Sequence, residues 1–114
     1  GKAKRIDHIF EVCEDISSNV SAVLKKNGFP IVLSGDHSGA IGTISGIKTA
    51  NPSGRIGVIW IDAHADLHTP FTTPSGNVHG MTLMASLNSG SSFFDSTDDI
   101  ATSDPPQFYW RWFF

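Results

Sequence analysis

From residue 55 to residue 61 the chain reads Arg-Ile-Gly-Val-Ile-Trp-Ile, and after the arginine only Gly57 interrupts the apolar side chains. A strand with one wet face alternates apolar and polar residues, so a run without alternation predicts a strand covered on both faces, as in a parallel sheet. Parallel neighbours need crossover connections, and the upstream sequence supplies candidates. Apolar residues at Ile6, Ile9, Phe10, Cys13, Ile16, Val20 and Val23 keep a mixed three-and-four spacing that lines one face of a helix. Asn27-Gly28 is the expected stop, with Gly28 as the left-handed residue. Pro30 then opens a short run, Ile31-Val32-Leu33, suited to a strand whose first position tolerates proline. Ile41, Ile44 and Ile47, with glycines between them, predict a second helix packed closely on a sheet and ended by Asn51-Pro52-Ser53-Gly54. Helix, strand, helix, strand is the order of an α/β fold with right-handed crossovers.

With 114 residues there is room for one domain or a piece of a larger one, and 39% hydrophobic residues can build a core, which excludes wholesale disorder. Eight Lys+Arg against eleven Asp+Glu leave a net charge of −3, so nucleic acid and anionic membranes are excluded as expected partners. Cys13 is the only cysteine, which rules out an intrachain disulfide and a cysteine-rich zinc site and suits a reducing, cytoplasmic setting. The run at 56–61 is far short of the roughly 20 apolar residues that span a bilayer. The basic start, Gly-Lys-Ala-Lys-Arg, leads into an amphipathic pattern rather than a secretion signal. Downstream, a Thr/Pro/Ser/Gly/Asn-rich loop is expected over 67–78 and a helix over 80–87. Residues 88–106 are Ser/Asp-rich and weakly patterned, and the end, 108–114, is almost wholly aromatic.

The segment Asp62-Ala63-His64-Ala65-Asp66 carries the strongest chemical signal. On extended backbone, residues two apart share a side, so Asp62, His64 and Asp66 can converge on one point. Carboxylates and imidazole are ligands for manganese, iron or zinc, and the carboxyl end of a strand is where an open α/β sheet places its ligands. His37, in the turn after the first strand, would emerge at the same sheet edge. Taken alone, Asp-x-His-x-Asp also fits a polar turn with a helix cap, and a Gly-Asp-His-Ser turn is good capping material. A calcium loop counted from Asp62 fails, because Leu67 stands where glycine is needed and Thr73 where the bidentate glutamate is needed. His8 and His68 have no evident partners in the sequence.

Three segments in order, Gly35-Asp36-His37-Ser38, Asp62-Ala63-His64-Ala65-Asp66 and 69–80 (Thr-Pro-Phe-Thr-Thr-Pro-Ser-Gly-Asn-Val-His-Gly), resemble successive signatures of the ureohydrolases, the arginase and agmatinase family. The last is most like arginase proper. The resemblance implies a three-layer α/β/α fold with two Mn2+ ions at the carboxyl ends of parallel strands. It also implies a small-molecule guanidino substrate, with arginine cleaved to ornithine and urea by a hydroxide held between the ions. By motif position His37 and Asp66 would bind one ion, His64 the other, and Asp62 both. His79 matches the proton-shuttling histidine, and Ser75 and Asn77 match residues that contact the amino-acid end of the substrate. His68 stands where many arginases have an asparagine that touches the substrate carboxylate. A guanidinium is a poor electrophile, so it needs a strong nucleophile at neutral pH, which paired cations supply.

The family's later Ser-x-Asp-x-Asp motif, source of two further ligands, has no match here. Asp98 and Asp99 are adjacent, and Asp95 and Asp104 are isolated. The chain thus reads as a partial ureohydrolase domain over 1–114, with its motifs in 29–88 and a divergent tail over 89–114. It is expected to be weakly active or inactive by itself, and the family leaves room for a homo-oligomer of the full-length form. Alternatives are an inactive remnant serving in binding or assembly, a ureohydrolase for agmatine or formiminoglutamate, and a deacetylase of related fold, against which the Ser-Gly-Asn-x-His-Gly segment argues.

Overall fold

The first helix, α1 (Ile6–Lys25), follows the apolar periodicity of the sequence, with Asp7 in its first turn and Lys25 in its last, where each sign of charge opposes the helix dipole. The computed structural model describes residues 4–64, 66–68 and 71–87. Cys13 and Val20 of the expected stripe are buried, whereas Phe10 and Val23 lie at its open margin, 37% and 38% exposed. The helix ends differently from expectation. Asn27, not Gly28, takes the left-handed backbone, at φ 58°. The Gly28 N–H then reaches back to the Val23 carbonyl at 2.9 Å, closing one of the helix's last open acceptors. Asparagine tolerates this conformation better than other side-chain-bearing residues do.

The second helix, α2 (Gly39–Ala50), is the one the isoleucine spacing predicts. Its glycines meet α1 rather than the expected sheet, and they set the distance between the two helices. A Cβ on Gly42 would lie 2.6 Å from the Cys13 carbonyl oxygen, and one on Gly46 would lie 2.6 Å from that of Ser17. Glycine therefore lets the two backbones approach where any larger residue would hold them apart. Past the loop, a single 3-10 turn, η1 (Val78–Met81), runs into α3 (Thr82–Leu87), so the helix expected over 80–87 is present in two parts. Cys13, Ile41, Val78, Met81 and Ala85 form one core cluster, with Ile6 and Ile9 packed on it. Ile44, Trp60 and Leu83 form a second, joined by Ala40 and Val58. No helix among the described residues is long and apolar enough to cross a membrane.

The two expected strands need correction. Residues 30–33 and 55–59 carry no regular ladder, and Trp60 is the single β-bridge position among the described residues. The run at 56–61 is covered on one face rather than two. Val58 and Trp60 turn toward α2 and α3, while Ile59 and Ile61 are 71% and 78% exposed. Ile31 and Leu33 are likewise 79% and 94% exposed. The parallel layering therefore does not form among the described residues, because α1, α2 and α3 supply cover from one side only. The weakly patterned stretch 88–106, the aromatic end and Asp95, Asp98, Asp99 and Asp104 lie outside the described residues, as do Ala65, Thr69 and Pro70 within the motifs.

Candidate metal centre

The turn between residue 33 and α2 presents His37. Asp36 Oδ1 accepts the Ser38 N–H at 2.8 Å and the Ser38 hydroxyl at 2.5 Å, which bends the chain in the manner of an Asx turn. Those two hydrogen bonds hold the Asp36 carboxyl below the usual carboxylate range, with smaller help from His79 and His37. The His37 carbonyl then accepts the Ala40 N–H at 3.1 Å, starting α2 directly behind the imidazole.

Asp62 enters from the other segment. Its Oδ1 accepts the His64 N–H at 2.8 Å, which turns the backbone sharply. That bond is the main reason its carboxyl lies below the usual range. Asp66 is 8% exposed and has a left-handed backbone, φ 51°. Its carbonyl accepts the N–H groups of Leu83 and Met84, both at 3.1 Å, so it satisfies donors at the start of α3 that have no partner within the helix. The fold thus anchors Asp66 through its main chain and leaves its carboxylate for the site. Burial first, and the Asp62 charge second, push the Asp66 carboxyl above the usual range.

These elements bring three side chains together. His37 Nδ1 lies 2.6 Å from Asp62 Oδ2 and 3.0 Å from Asp66 Oδ2, and one ligand atom from each residue falls within 4.8 Å of the others. A single Nδ1–H can serve one carboxylate well, and among the described residues the buried Asp66 Oδ2 has no hydrogen-bond partner. A buried carboxylate oxygen without a donor, beside a second carboxylate and an imidazole nitrogen, suits a hard or borderline divalent cation.

The remaining expected residues divide. His64 approaches Asp62 Oδ1 at 3.5 Å, but its side chain is 84% exposed and it stands outside the three-residue group. His79 sits on η1, and its charge is felt by both Asp36 and Asp66. The His68 N–H donates to the Gly80 carbonyl at 3.2 Å, tying the segment after Asp66 to η1. Ser75 Oγ accepts the Asn77 N–H at 3.2 Å within the loop. Among the described residues no ion pair or hydrogen bond carries the side chains of His68, Ser75 or Asn77 to the cluster. His8 pairs loosely with Glu11, 4.0 Å away on α1. Sequence reasoning missed Trp60, whose ring stacks on that of His37, with centroids 4.6 Å apart and planes 16° from parallel. The signal was available, since Trp60 stands two residues before Asp62 and so on its side of an extended chain.

The sequence signature of the arginase family matches residues 3–99. An arginase of Bacillus caldovelox is 46% identical over 89 residues, 78% of this chain and 29% of its own length. One of Bacillus subtilis is 41% identical over 104 residues, covering 91% of this chain and 34% of its own. The crystal structure of arginase from Bacillus cereus superposes with a TM-score of 0.73 at 45% identity, over 80% of this chain and 31% of that one. The chain therefore spans about a third of the length of the relatives it matches. It belongs to the arginase family.

Proposed function

We propose that this chain carries part of the ligand set of a two-manganese centre that hydrolyses a guanidino C–N bond, with arginine the favoured substrate and ornithine and urea the products. The observation that carries this reading is the His37–Asp62–Asp66 group, in which a buried Asp66 oxygen lies 3.0 Å from the His37 imidazole nitrogen yet makes no hydrogen bond among the described residues. When bound, divalent ions supply Lewis acidity that makes water a nucleophile at neutral pH. His37 and Asp66 would hold one ion, His64 the other, and Asp62 both. Asp62 suits the shared role because its carboxyl remains charged and touches both imidazoles. Asp66, in drier surroundings that disfavour its charged form, would be favoured as a carboxylate by a cation close by.

His79 would pass a proton to the departing amine, work that falls most often to histidine. Its place on η1 puts it on the turn that runs directly into α3, whose Leu83 and Met84 N–H groups donate to the Asp66 carbonyl. His68, Ser75 and Asn77 would face the amino-acid end of the substrate. We place the functional stretch at 29–88 and the parallel layering of residues 30–33 and 55–61 in the complete family fold. A cytoplasmic setting suits Cys13, a free thiol buried between α1 and α2.

With no Ser-x-Asp-x-Asp segment in its sequence, the chain is expected to bind Mn2+ weakly but saturably and to release little urea. The test is Mn2+ titration followed by electron paramagnetic resonance, with product assays for urea from arginine and agmatine and for formamide from formiminoglutamate. Saturable binding that Asp62→Asn abolishes, with any turnover greatest on arginine, supports the reading. Mn2+ binding indifferent to Asp62→Asn overturns the centre, and turnover greatest on agmatine or formiminoglutamate overturns the substrate.

A further inference from the structure

The His37 ring sits in an exposed turn, its side chain 38% accessible, and its 2.6 Å contact with Asp62 Oδ2 restrains a single atom. Rotation about χ2 would carry Nδ1 away from both carboxylates, and this terminal torsion is intrinsically broad. The stacked indole supplies what the turn lacks. Trp60 is 6% exposed and packs with Ile44 of α2 and Leu83 of α3, so its plane is set by the core. An imidazole lying 16° from that plane at 4.6 Å cannot tilt far without colliding with the indole or leaving it.

We propose that Trp60 is a positioning residue of the metal centre: its indole face fixes the plane of the His37 ring so that Nδ1 meets Asp62 and Asp66. This rests on the metal reading above. Packing alone gives little reason for an indole here. Trp60 Nε1 is buried with no acceptor among the described residues, a cost that an all-carbon ring of similar shape would avoid. The flat face is the part the site uses. Electrostatics adds to the geometry, because an imidazole that donates its lone pair to a cation becomes more positive and is held more strongly over the electron-rich indole face. The stack therefore favours the cation-loaded arrangement as well as the fold. Residues that orient a metal-ligating histidine from behind contribute about 10- to 100-fold in metal affinity.

The test uses the full chain as parent, Trp60→Phe, Trp60→Leu and His37→Asn, with Mn2+ affinity read by electron paramagnetic resonance and histidine ring protons read by NMR without metal. Trp60→Phe keeps an aromatic face and should stay close to the parent, while Trp60→Leu should lose about tenfold or more. The His37 ring protons, identified by their loss in His37→Asn, should be displaced by the indole ring current in the parent and return toward ordinary positions in Trp60→Leu. If Trp60→Leu does not fold, the parent spectrum decides, since undisplaced His37 ring protons there overturn the stack. Trp60→Leu that is folded and binds Mn2+ as tightly as the parent overturns the positioning role alone, as does Trp60→Phe weakened as far as Trp60→Leu. A parent with no saturable Mn2+ binding sinks the metal reading, and the positioning role with it.

Discussion

Replacing Gly42 with alanine sets two well-defined effects against each other. Alanine is the better helix former by about 1 kcal/mol, so propensity alone would stabilise α2. The new Cβ, however, would stand 2.6 Å from the Cys13 carbonyl oxygen, 2.9 Å from Ile16 Cβ and 3.0 Å from Cys13 Cα. Two of these are backbone atoms of α1 that no rotamer change can move. Restoring ordinary contact needs a separation of about 0.8 Å between the helices. A gap of that size forfeits about a quarter to a half of each van der Waals well along the crossing, and overpacking of this kind costs about 1–3 kcal/mol. The clash against rigid backbone places Gly42→Ala toward the upper part of that range, so the net expectation is destabilisation by about 1–2 kcal/mol. Gly57→Ala is the control. Among the described residues nothing lies within 4 Å of its added Cβ, and loss of freedom in the unfolded chain should stabilise it by about 0.4–1 kcal/mol. Urea unfolding followed by helical circular dichroism measures both. Because α2 begins two residues after His37, Gly42→Ala should also weaken Mn2+ binding. Stability of Gly42→Ala equal to or above that of the parent would refute the close-crossing argument.

Further outcomes follow from the same site. Free Mn2+ at about 100 times its dissociation constant should stabilise the chain by about 2.7 kcal/mol, and the rise in melting temperature should vanish in Asp66→Asn. The raised Asp66 carboxyl competes for protons at higher pH than an ordinary one, so Mn2+ affinity should climb with pH through that range, as a titration series will show. Without metal, the two acids act oppositely on stability. The contribution of Asp36 is present above its unfolded value of about 3.9 and is lost as pH falls through its lower folded value, whereas that of Asp66 is present below about 3.9 and lost as pH rises through its higher one. Melting curves from about pH 3 to about pH 7 on Asp36→Asn and Asp66→Asn should show these opposite slopes removed. Asp36→Ala, which opens the turn before α2, should cost about 0.5–1 kcal/mol at neutral pH because its bonds to Ser38 are solvent-exposed, and denaturant unfolding checks this.

The sequence by itself determined the parts of this protein whose energetics are local. The three-and-four spacing from Ile6 to Val23 sets α1, and the isoleucines of α2 set its buried face, because neighbours on a helix surface are neighbours in the chain. The order of the His37, Asp62 and Asp66 motifs carried the family and the candidate ligands. Tertiary structure decided what depends on partners distant in the chain. Residues 30–33 and 55–61 look alike in composition to paired strands, yet a ladder and cover on a second face must come from elsewhere, and among the described residues neither is present. Asn27 rather than Gly28 turned left-handed once the Gly28 N–H found Val23. The Asp66 carbonyl gained its partners, the Leu83 and Met84 N–H groups, from α3 well downstream, and His37 gained an indole neighbour from a segment distant in the chain. Chain spacing can nominate a ligand. Only packing from several elements can dry it, aim it and shift its proton affinity, because desolvation and mutual charge are properties of the assembled space around a residue.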